Sequence, residues 1–172
     1  MEDIIVIDDF LNEEELSYMV DTSTYKNQDW SFQRSWDFNA DSPLKKMDFN
    51  LTFLTKNLMD NEYYTSYLFN KIKKFFNQDY KLKNVYLNGY EALRNGSFHQ
   101  DESDRTVILY ITPWEPAWGG FTHFMKSEKE HDVIAPLMGR MINFKSSIIH
   151  KAYSFCNQNC PIRITAAFKL KL

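Results

Sequence analysis

The sequence predicts an α+β fold that is mainly β, a β-sandwich or open barrel with helices stacked on one outer face. Helical patterns are confined to the first part of the 172-residue chain, and short strands separated by turn residues follow Asn77. Helices that precede a run of strands are typical of domains in which the helices cover one face of a sheet. The length suits one compact domain. We therefore expect a single domain over 1–172, with 1–80 as helical support and 81–172 as the β core.

The N-terminal segment is predicted to form a strand and then two helices. Residues 4–7 are a short β-branched run. Asn12 is a suitable N-cap and Glu15 its capping-box partner, which predicts a helix over 13–22. Apolar residues at helical spacing predict a second helix over 62–76, namely Tyr64, Leu68, Ile72 and Phe75.

Residues 23–60 give weaker signals. The aromatic stretch with Trp30, Phe32, Trp36 and Phe38 is interpreted as strand plus loop, and 44–58 as a further helix. The aromatic residues of 30–38, like the loop over 113–118, either cover the mouth of the barrel and grip an extended substrate or seal the packing between helices and sheet.

Short strands are predicted over 83–90, 105–111, 120–125, 131–135, 140–144, 147–150 and 162–171. The last has the clearest alternation. One face is apolar and requires a cover, which the helices can supply, and it comprises Ile162, Ile164, Ala166, Phe168 and Leu170. The opposite face points between the sheets and comprises Arg163, Thr165, Ala167 and Lys169.

Charge and hydropathy narrow the function classes. The formal net charge is -3 and no dense basic block occurs, so nucleic acid is an unfavoured partner. No apolar run approaches ~20 residues, and the first residues lack the pattern of a signal peptide, so we expect a cytoplasmic protein without a membrane segment. Cys156 and Cys160 are expected to be ordinary thiols, because a zinc site would need two more suitably spaced ligands.

His99 and Asp101 stand two residues apart, so in an extended segment both project from the same face and can bind one metal ion. Two His and one carboxylate on one face of an octahedron suit Fe(II) oxygenases, which must admit a co-substrate and O₂. His150, which follows two apolar residues in a late strand, is the best third ligand. His123 and His131 are competing candidates.

Arg163 is predicted to face inward, with Thr165 two positions further along the same face. An inward arginine is costly unless it meets an anion. Its fork-shaped cation beside a hydroxyl suits the capture of a carboxylate.

A series of motifs from about residue 84 to 170 resembles the 2-oxoglutarate/Fe(II) dioxygenases, in particular their prolyl 4-hydroxylase-like branch. The motifs are Tyr90 nine residues before His99, the strand 107–110, Gly-Gly-x-Thr-x-Phe over 119–124, a Pro-x-x-Gly turn over 136–139, Ile142 with Phe144, His150 and Arg163. The segment 4–10 also resembles the start of this family.

The resemblance implies a double-stranded β-helix, a jelly-roll or cupin-like barrel, with the N-terminal helices on the outer face of its major sheet. It further implies Fe(II) on His99, Asp101 and His150, with 2-oxoglutarate and O₂ as co-substrates and ascorbate as a further candidate. The terminal carboxylate of 2-oxoglutarate would lie on Arg163 and Thr165, near Tyr90 or Tyr110. The implied activity is hydroxylation of an unactivated C–H bond, most directly of a prolyl residue in a peptide or protein.

Other functions stay open, because the chain departs from prolyl 4-hydroxylases at Arg163, Gly96 and Phe121. One alternative keeps the cofactors but acts on a free amino acid, a small metabolite or a nucleobase. A second is a non-catalytic β-helix binding module, and a third is a cupin-like metalloenzyme that does not use 2-oxoglutarate. The complete set of metal and carboxylate ligands disfavours the last two.

Overall fold

The computed structural model describes residues 3–24, 29–34 and 52–172. Its helical elements are α1 (Glu13–Ser23), a π-helical segment (Tyr63–Leu68) that continues into α2 (Phe69–Phe76), and a 3-10 turn (Pro116–Trp118). Its strands are β1 (Ile4–Ile7), β2 (Ser31–Arg34), β3 (Thr52–Asn57), β4 (Lys81–Tyr90), β5 (Arg105–Tyr110), β6 (Thr122–Met125), β7 (His131–Ile134), β8 (Met141–Lys145), β9 (His150–Ala152) and β10 (Arg163–Lys171).

The strands form two antiparallel sheets. The major sheet has seven strands in the order β1-β8-β5-β10-β4-β3-β2, and the minor sheet has three in the order β7-β6-β9. Because β10 lies at the centre of the major sheet, between β5 and β4, its inward side chains reach the space between the sheets. This is the expected jelly-roll arrangement of a double-stranded β-helix.

The outer face of the major sheet is covered by helices, as the sequence predicted. Met19 of α1 and Leu68 and Ile72 of the second helical region are fully buried in the same apolar cluster as Leu87 and Phe168. Burial of such side chains stabilises the fold by about 1.5–3 kcal/mol each. The helices therefore pack against the major sheet on the face opposite the minor sheet.

The second helical region differs from the prediction in one detail. Tyr64, Leu68 and Ile72 are buried as expected, but Phe75 is half exposed. The row of residues spaced four apart continues to Phe76, which packs against the core, while Phe75 makes T-shaped ring contacts with Phe10 and Phe76. The inward position was therefore misassigned by one residue.

Two element predictions were wrong. Residues 52–57, predicted as part of a helix over 44–58, form β3, because they pair with β4 at the side of the major sheet. The strand predicted over 147–150 instead runs from His150 to Ala152, because Ser146 and the residues after it form the turn that follows β8. Trp36, Phe38 and the start of the helix predicted over 44–58 lie outside the described residues.

In the segments 30–38 and 113–118, Trp30 and Trp114 are used in packing, whereas Phe32 is 74% exposed. Trp30 lies against Gly89 on the helical side of the major sheet and does not cover the barrel mouth. Trp114 donates a hydrogen bond to the carbonyl of Gly119 and contacts the edge of Phe121. Within the described part of the chain, no helix has the length and apolar character needed to cross a lipid bilayer.

Candidate metal centre

The three predicted metal ligands meet between the two sheets. His99 and His150 pair through two backbone hydrogen bonds, of 3.0 and 2.9 Å, which bring their ring centroids to 4.3 Å. The backbone of Asp101 is fixed by a hydrogen bond from its N–H to the carbonyl of Ser146, 2.9 Å away. One possible ligand atom from each of His99, Asp101 and His150 lies within 4.8 Å of the other two.

Both imidazoles are oriented by the main chain. Nδ1 of His99 lies 2.9 Å from the carbonyl oxygen of Ser97, and Nδ1 of His150 lies 2.9 Å from that of Ile148. A carbonyl can only accept, so each Nδ1 carries the proton and each Nε2 keeps a free lone pair. These Nε2 atoms face Asp101, at 3.6 Å from Oδ1 for His99 and 3.5 Å from Oδ2 for His150.

The electrostatic environment favours the protonation states that bind a metal. Burial lowers the pKa of His150 to about 4, so its ring is neutral at pH 7. Burial would raise the pKa of Asp101, but the Lys169 ammonium and the neighbouring His150 outweigh it and lower that pKa to about 2. Two imidazoles and one carboxylate are a suitable donor set for Fe(II).

Arg163 projects from the start of β10 into the same space and is only 2% exposed. Its Nε donates to the carbonyl of Gly120 at 2.8 Å, and its Nη2 donates to Oγ1 of Thr122 at 2.9 Å. The rings of Tyr90 and Tyr110 lie 5.6 and 5.4 Å from the guanidinium carbon. Burial lowers the pKa of Arg163, yet a guanidinium stays charged in proteins.

No carboxylate within the described ranges pairs with this guanidinium: its hydrogen bonds go to Gly120 and Thr122, and the nearby ionisable groups are tyrosines. An isolated buried cation is strongly unfavourable. The guanidinium hydrogens that these two hydrogen bonds leave unused are therefore available to an anion in the cavity.

Gly120 allows Arg163 to take this position. It has a φ of 77°, and a Cβ placed on it would lie 2.4 Å from the ring of Phe155. Glycine is therefore required both by the backbone conformation and by the close approach of Phe155. The carbonyl of Gly120 then points at the Arg163 side chain.

Two of the predicted metal ligands, His99 and His150, line one cavity of about 220 Å³ together with Arg163. It is lined by Phe53, Tyr86, Asn88, Tyr90, His99, Ile108, Thr122, His150, Ala152, Arg163, Thr165, Ala167 and Lys169. Phe53 of β3 stacks on Tyr90 at 5.4 Å and closes one side. A cavity of this size suits a small dicarboxylate rather than a large cofactor.

The structure brings together the residues that the sequence favoured as metal and co-substrate ligands, and it leaves out the two competing histidines. His99, Asp101 and His150 converge, and Tyr90, Tyr110 and Thr165 are buried around Arg163 or along the cavity. His123 and His131 lie on the minor sheet with their ring centroids 6.0 Å apart, outside the group of ligands. Cys156 and Cys160 are free thiols.

Two contacts were not anticipated. The hydroxyl of Thr122 accepts a hydrogen bond from Arg163, and it also lies 2.7 Å from the hydroxyl of Tyr110. Alternation along β6, with Thr122 and Phe124 inward, was the available signal. The second contact is an ion pair between Lys169 and Asp101. The alternation of β10 had placed Lys169 inward but did not identify its partner.

Comparison with known proteins places this fold among solved oxygenase structures. A 2OG-Fe(II) oxygenase family oxidoreductase from Burkholderia pseudomallei aligns with a TM-score of 0.71 at 10% identity, over 98% of this chain and 84% of that chain. A prolyl hydroxylase from Trichoplax adhaerens, in complex with a hypoxia inducible factor oxygen degradation domain peptide fragment, aligns with a TM-score of 0.71 at 14% identity, over 98% and 83%.

The viral collagen prolyl hydroxylase vCPH of Paramecium Bursaria Chlorella virus-1, in its 2OG complex, aligns with a TM-score of 0.67 at 18% identity, over 98% of this chain and 96% of that chain. No family model matches the sequence, and no curated protein matches it. At these identities the likeness shows the fold, which is the double-stranded β-helix expected from the sequence.

Proposed function

We propose that this chain is an Fe(II)- and 2-oxoglutarate-dependent dioxygenase that hydroxylates an unactivated C–H bond, with a prolyl residue of a peptide or protein as substrate. The observation that carries the proposal is the buried Arg163, which has no carboxylate partner among the described residues and lines the same cavity as His99 and His150, two members of the group that Asp101 completes. A metal site and an anion site in one cavity are what a 2-oxo dicarboxylate requires.

The donor set fits Fe(II). His99 and His150 would each offer Nε2, because their Nδ1 atoms are engaged by main-chain carbonyls. Asp101 would offer a carboxylate oxygen. Three protein ligands leave open positions on an octahedral ion, the pattern of non-haem Fe(II) oxygenases.

The anion site fits the distal carboxylate of 2-oxoglutarate. Arg163 would hold that carboxylate with the guanidinium hydrogens not used by Gly120 and Thr122. Tyr90 and Tyr110 flank the guanidinium and stay protonated, since burial raises the pKa of each, for Tyr90 to about 12. The neutral Thr165 hydroxyl lines the same cavity. The site would thus pair the distal carboxylate of the co-substrate with one fixed cation.

The reaction divides between the bound groups and the chain. When bound, Fe(II) and 2-oxoglutarate supply oxidative decarboxylation coupled to hydroxylation of the substrate. The residues of the chain orient the co-substrate through Arg163 and exclude water with the walls formed by Phe53, Ile108 and Ala167.

Two considerations support a peptidyl-proline substrate. The fold is shared with prolyl hydroxylases, one of which is in complex with a peptide fragment. The net charge of -3 disfavours nucleic acid. A free amino acid or small metabolite is the competing substrate class.

Turnover of 2-oxoglutarate and peptide tests the proposal. Protein reconstituted with Fe(II) is incubated with 2-oxoglutarate, ascorbate and an array of proline-containing peptides in air, while succinate and the peptide mass are followed. We expect succinate in a stoichiometric ratio to peptides that gain one oxygen atom. His150→Ala should abolish both products and His123→Ala, its matched control, should retain them. Succinate without any modified peptide would overturn the prolyl assignment, and absence of succinate with every substrate class would overturn the dioxygenase proposal.

A further inference from the structure

The carboxylate of Asp101 has two unequal oxygens. Oδ2 accepts hydrogen bonds from Oγ1 of Thr106 at 2.6 Å and from Nζ of Lys169. Oδ1 receives no hydrogen bond from any residue in the described ranges. Each oxygen lies near one predicted ligand nitrogen, Oδ1 at 3.6 Å from Nε2 of His99 and Oδ2 at 3.5 Å from Nε2 of His150, so the difference between them lies in their hydrogen bonds. The side chain of Asp101 is 9% exposed and that of Lys169 is 12% exposed, so water competes little for either oxygen.

The two donors to Oδ2 are fixed in the major sheet. Lys169 on β10 and Thr106 on β5 are directly paired across the strands, so their side chains leave the sheet at the same place. The Lys169 ammonium also lies 5.6 Å from the centre of the Tyr86 ring, which limits its movement. Both donors therefore reach Asp101 from paired positions on neighbouring strands of the major sheet.

The Thr106 hydroxyl has its direction set by a chain of hydroxyls. Its Oγ1 lies 2.9 Å from Oγ of Ser146, which lies 2.7 Å from Oγ of Ser103. A hydroxyl has one hydrogen, and ionised Asp101 can only accept. Thr106 must therefore donate to Asp101 and accept from Ser146, so this donor cannot turn away from Oδ2.

We infer that Lys169 is a positioning residue which, together with Thr106, occupies Oδ2 of Asp101 and reserves Oδ1 as the single oxygen that binds the metal. The inference rests on the proposed function. A carboxylate that binds through one oxygen uses one position of an octahedral ion, whereas binding through both uses two. With His99 and His150, the one-oxygen mode leaves the two positions that a chelating 2-oxo acid needs and one more. Lys169 thereby preserves the co-substrate's access to the metal.

The experiment counts the open positions directly, with Mn(II) as the probe. Mn(II) is titrated into the apoprotein, and the broadening of its electron paramagnetic resonance lines in ¹⁷O-enriched water gives the number of bound waters. We expect roughly three waters for the wild-type protein and one fewer for Lys169→Met, with no weakening of Mn(II) affinity. Lys169→Arg, which keeps a cationic donor, should restore the wild-type number.

Lys171→Met is the matched control, because Lys171 lies on the same strand and makes an ion pair with the carboxylate of Asp104, away from the metal ligands. It should keep the wild-type water count. Thr106→Val removes the other donor to Oδ2 and should also lose bound water. Circular dichroism would show whether Lys169→Met folds. If it does not, Thr106→Val still tests the inference.

The experiment distinguishes failure of the proposed metal site from failure of the role given to Lys169 and Thr106. If the wild-type protein does not bind Mn(II), or if His150→Ala binds it equally well, the proposed metal site fails and the inference fails with it. If Mn(II) binds through His150 but the water count is the same in the wild type, Lys169→Met and Thr106→Val, only the role of Lys169 and Thr106 is overturned. A variant that loses Mn(II) affinity and water together would show that Lys169 supports the structure rather than the binding mode of Asp101.

Discussion

Arg163 donates a hydrogen bond from Nη2 to Oγ1 of Thr122, 2.9 Å away, across the gap between the two sheets. Arg163 belongs to β10 of the major sheet and Thr122 to β6 of the minor sheet. The same hydroxyl lies 2.7 Å from that of Tyr110. The proposed anion site is thus built by a contact between the sheets.

Replacing Thr122 by Val should weaken the binding of 2-oxoglutarate. The substitution removes one of the two acceptors of Arg163 and leaves the guanidinium held only through Nε, which should cost about 1–2 kcal/mol, or five- to thirtyfold in affinity. Isothermal titration calorimetry of the metal-loaded protein under anaerobic conditions measures the affinity for 2-oxoglutarate. Thr112→Val is the matched control, because the Thr112 hydroxyl is similarly buried but bonds only the main chain around Ile162. Equal effects of the two substitutions would refute the positioning role of Thr122.

Replacing Gly120 by Ala should destabilise the protein by about 2–4 kcal/mol. The new Cβ would lie 2.4 Å from the ring of buried Phe155, and the backbone has a φ of 77°. Thermal and urea unfolding measure the loss. In a Phe155→Ala background the same change should cost less, because the steric clash is removed and only the backbone strain remains. If the cost is the same in both backgrounds, the clash with Phe155 is not the cause.

Glu15 should make the stability of the fold sensitive to acid. Its carboxylate accepts from the backbone of Asn12 at 2.8 Å, in the capping box of α1, and from Lys71 at 2.6 Å, which joins α1 to α2. Burial raises the pKa of Glu15, but the hydrogen bonds from Lys71 and Asn12 outweigh it and hold the pKa below the ordinary value of 4.5.

Because the folded pKa is depressed, this contribution to stability is present above pH 4.5 and is lost as the pH falls through the folded pKa. Glu15→Gln should therefore lower the free energy of unfolding by about 2 kcal/mol at pH 7 and have a smaller effect at pH 3. Exposed Glu14→Gln is the control. An effect of Glu15→Gln that does not change between these pH values would contradict the assignment.

The sequence was most informative where a short-range pattern determines the structure. The alternation in β10 correctly separated Arg163 and Lys169 from the apolar residues, because the two-residue period of a strand allows no other arrangement once one face is buried. The two-residue spacing of His99 and Asp101 likewise placed both side chains toward one point.

The sequence was least informative where the structure depends on contacts between strands that are distant in the chain. The pairing of Lys169 with Asp101 follows from the register of β10 against β5, which places Lys169 opposite Thr106. Thr122 contacts Arg163 because β6 of the minor sheet faces the start of β10 of the major sheet. Residues 52–57 have no strong strand pattern and become β3 through pairing with β4.

The most direct test of the account is anaerobic titration of the protein with Fe(II) and 2-oxoglutarate, followed by visible absorption. We predict that the wild-type protein develops the weak metal-to-ligand charge-transfer band of a chelated 2-oxo acid. We further predict that Arg163→Ala needs about tenfold more 2-oxoglutarate, or more, for the same band, because the distal carboxylate of 2-oxoglutarate loses the cation that Arg163 provides. The affinity for Fe(II) should be unchanged. Absence of the band in the wild type, or an unchanged 2-oxoglutarate requirement in Arg163→Ala, would contradict the account.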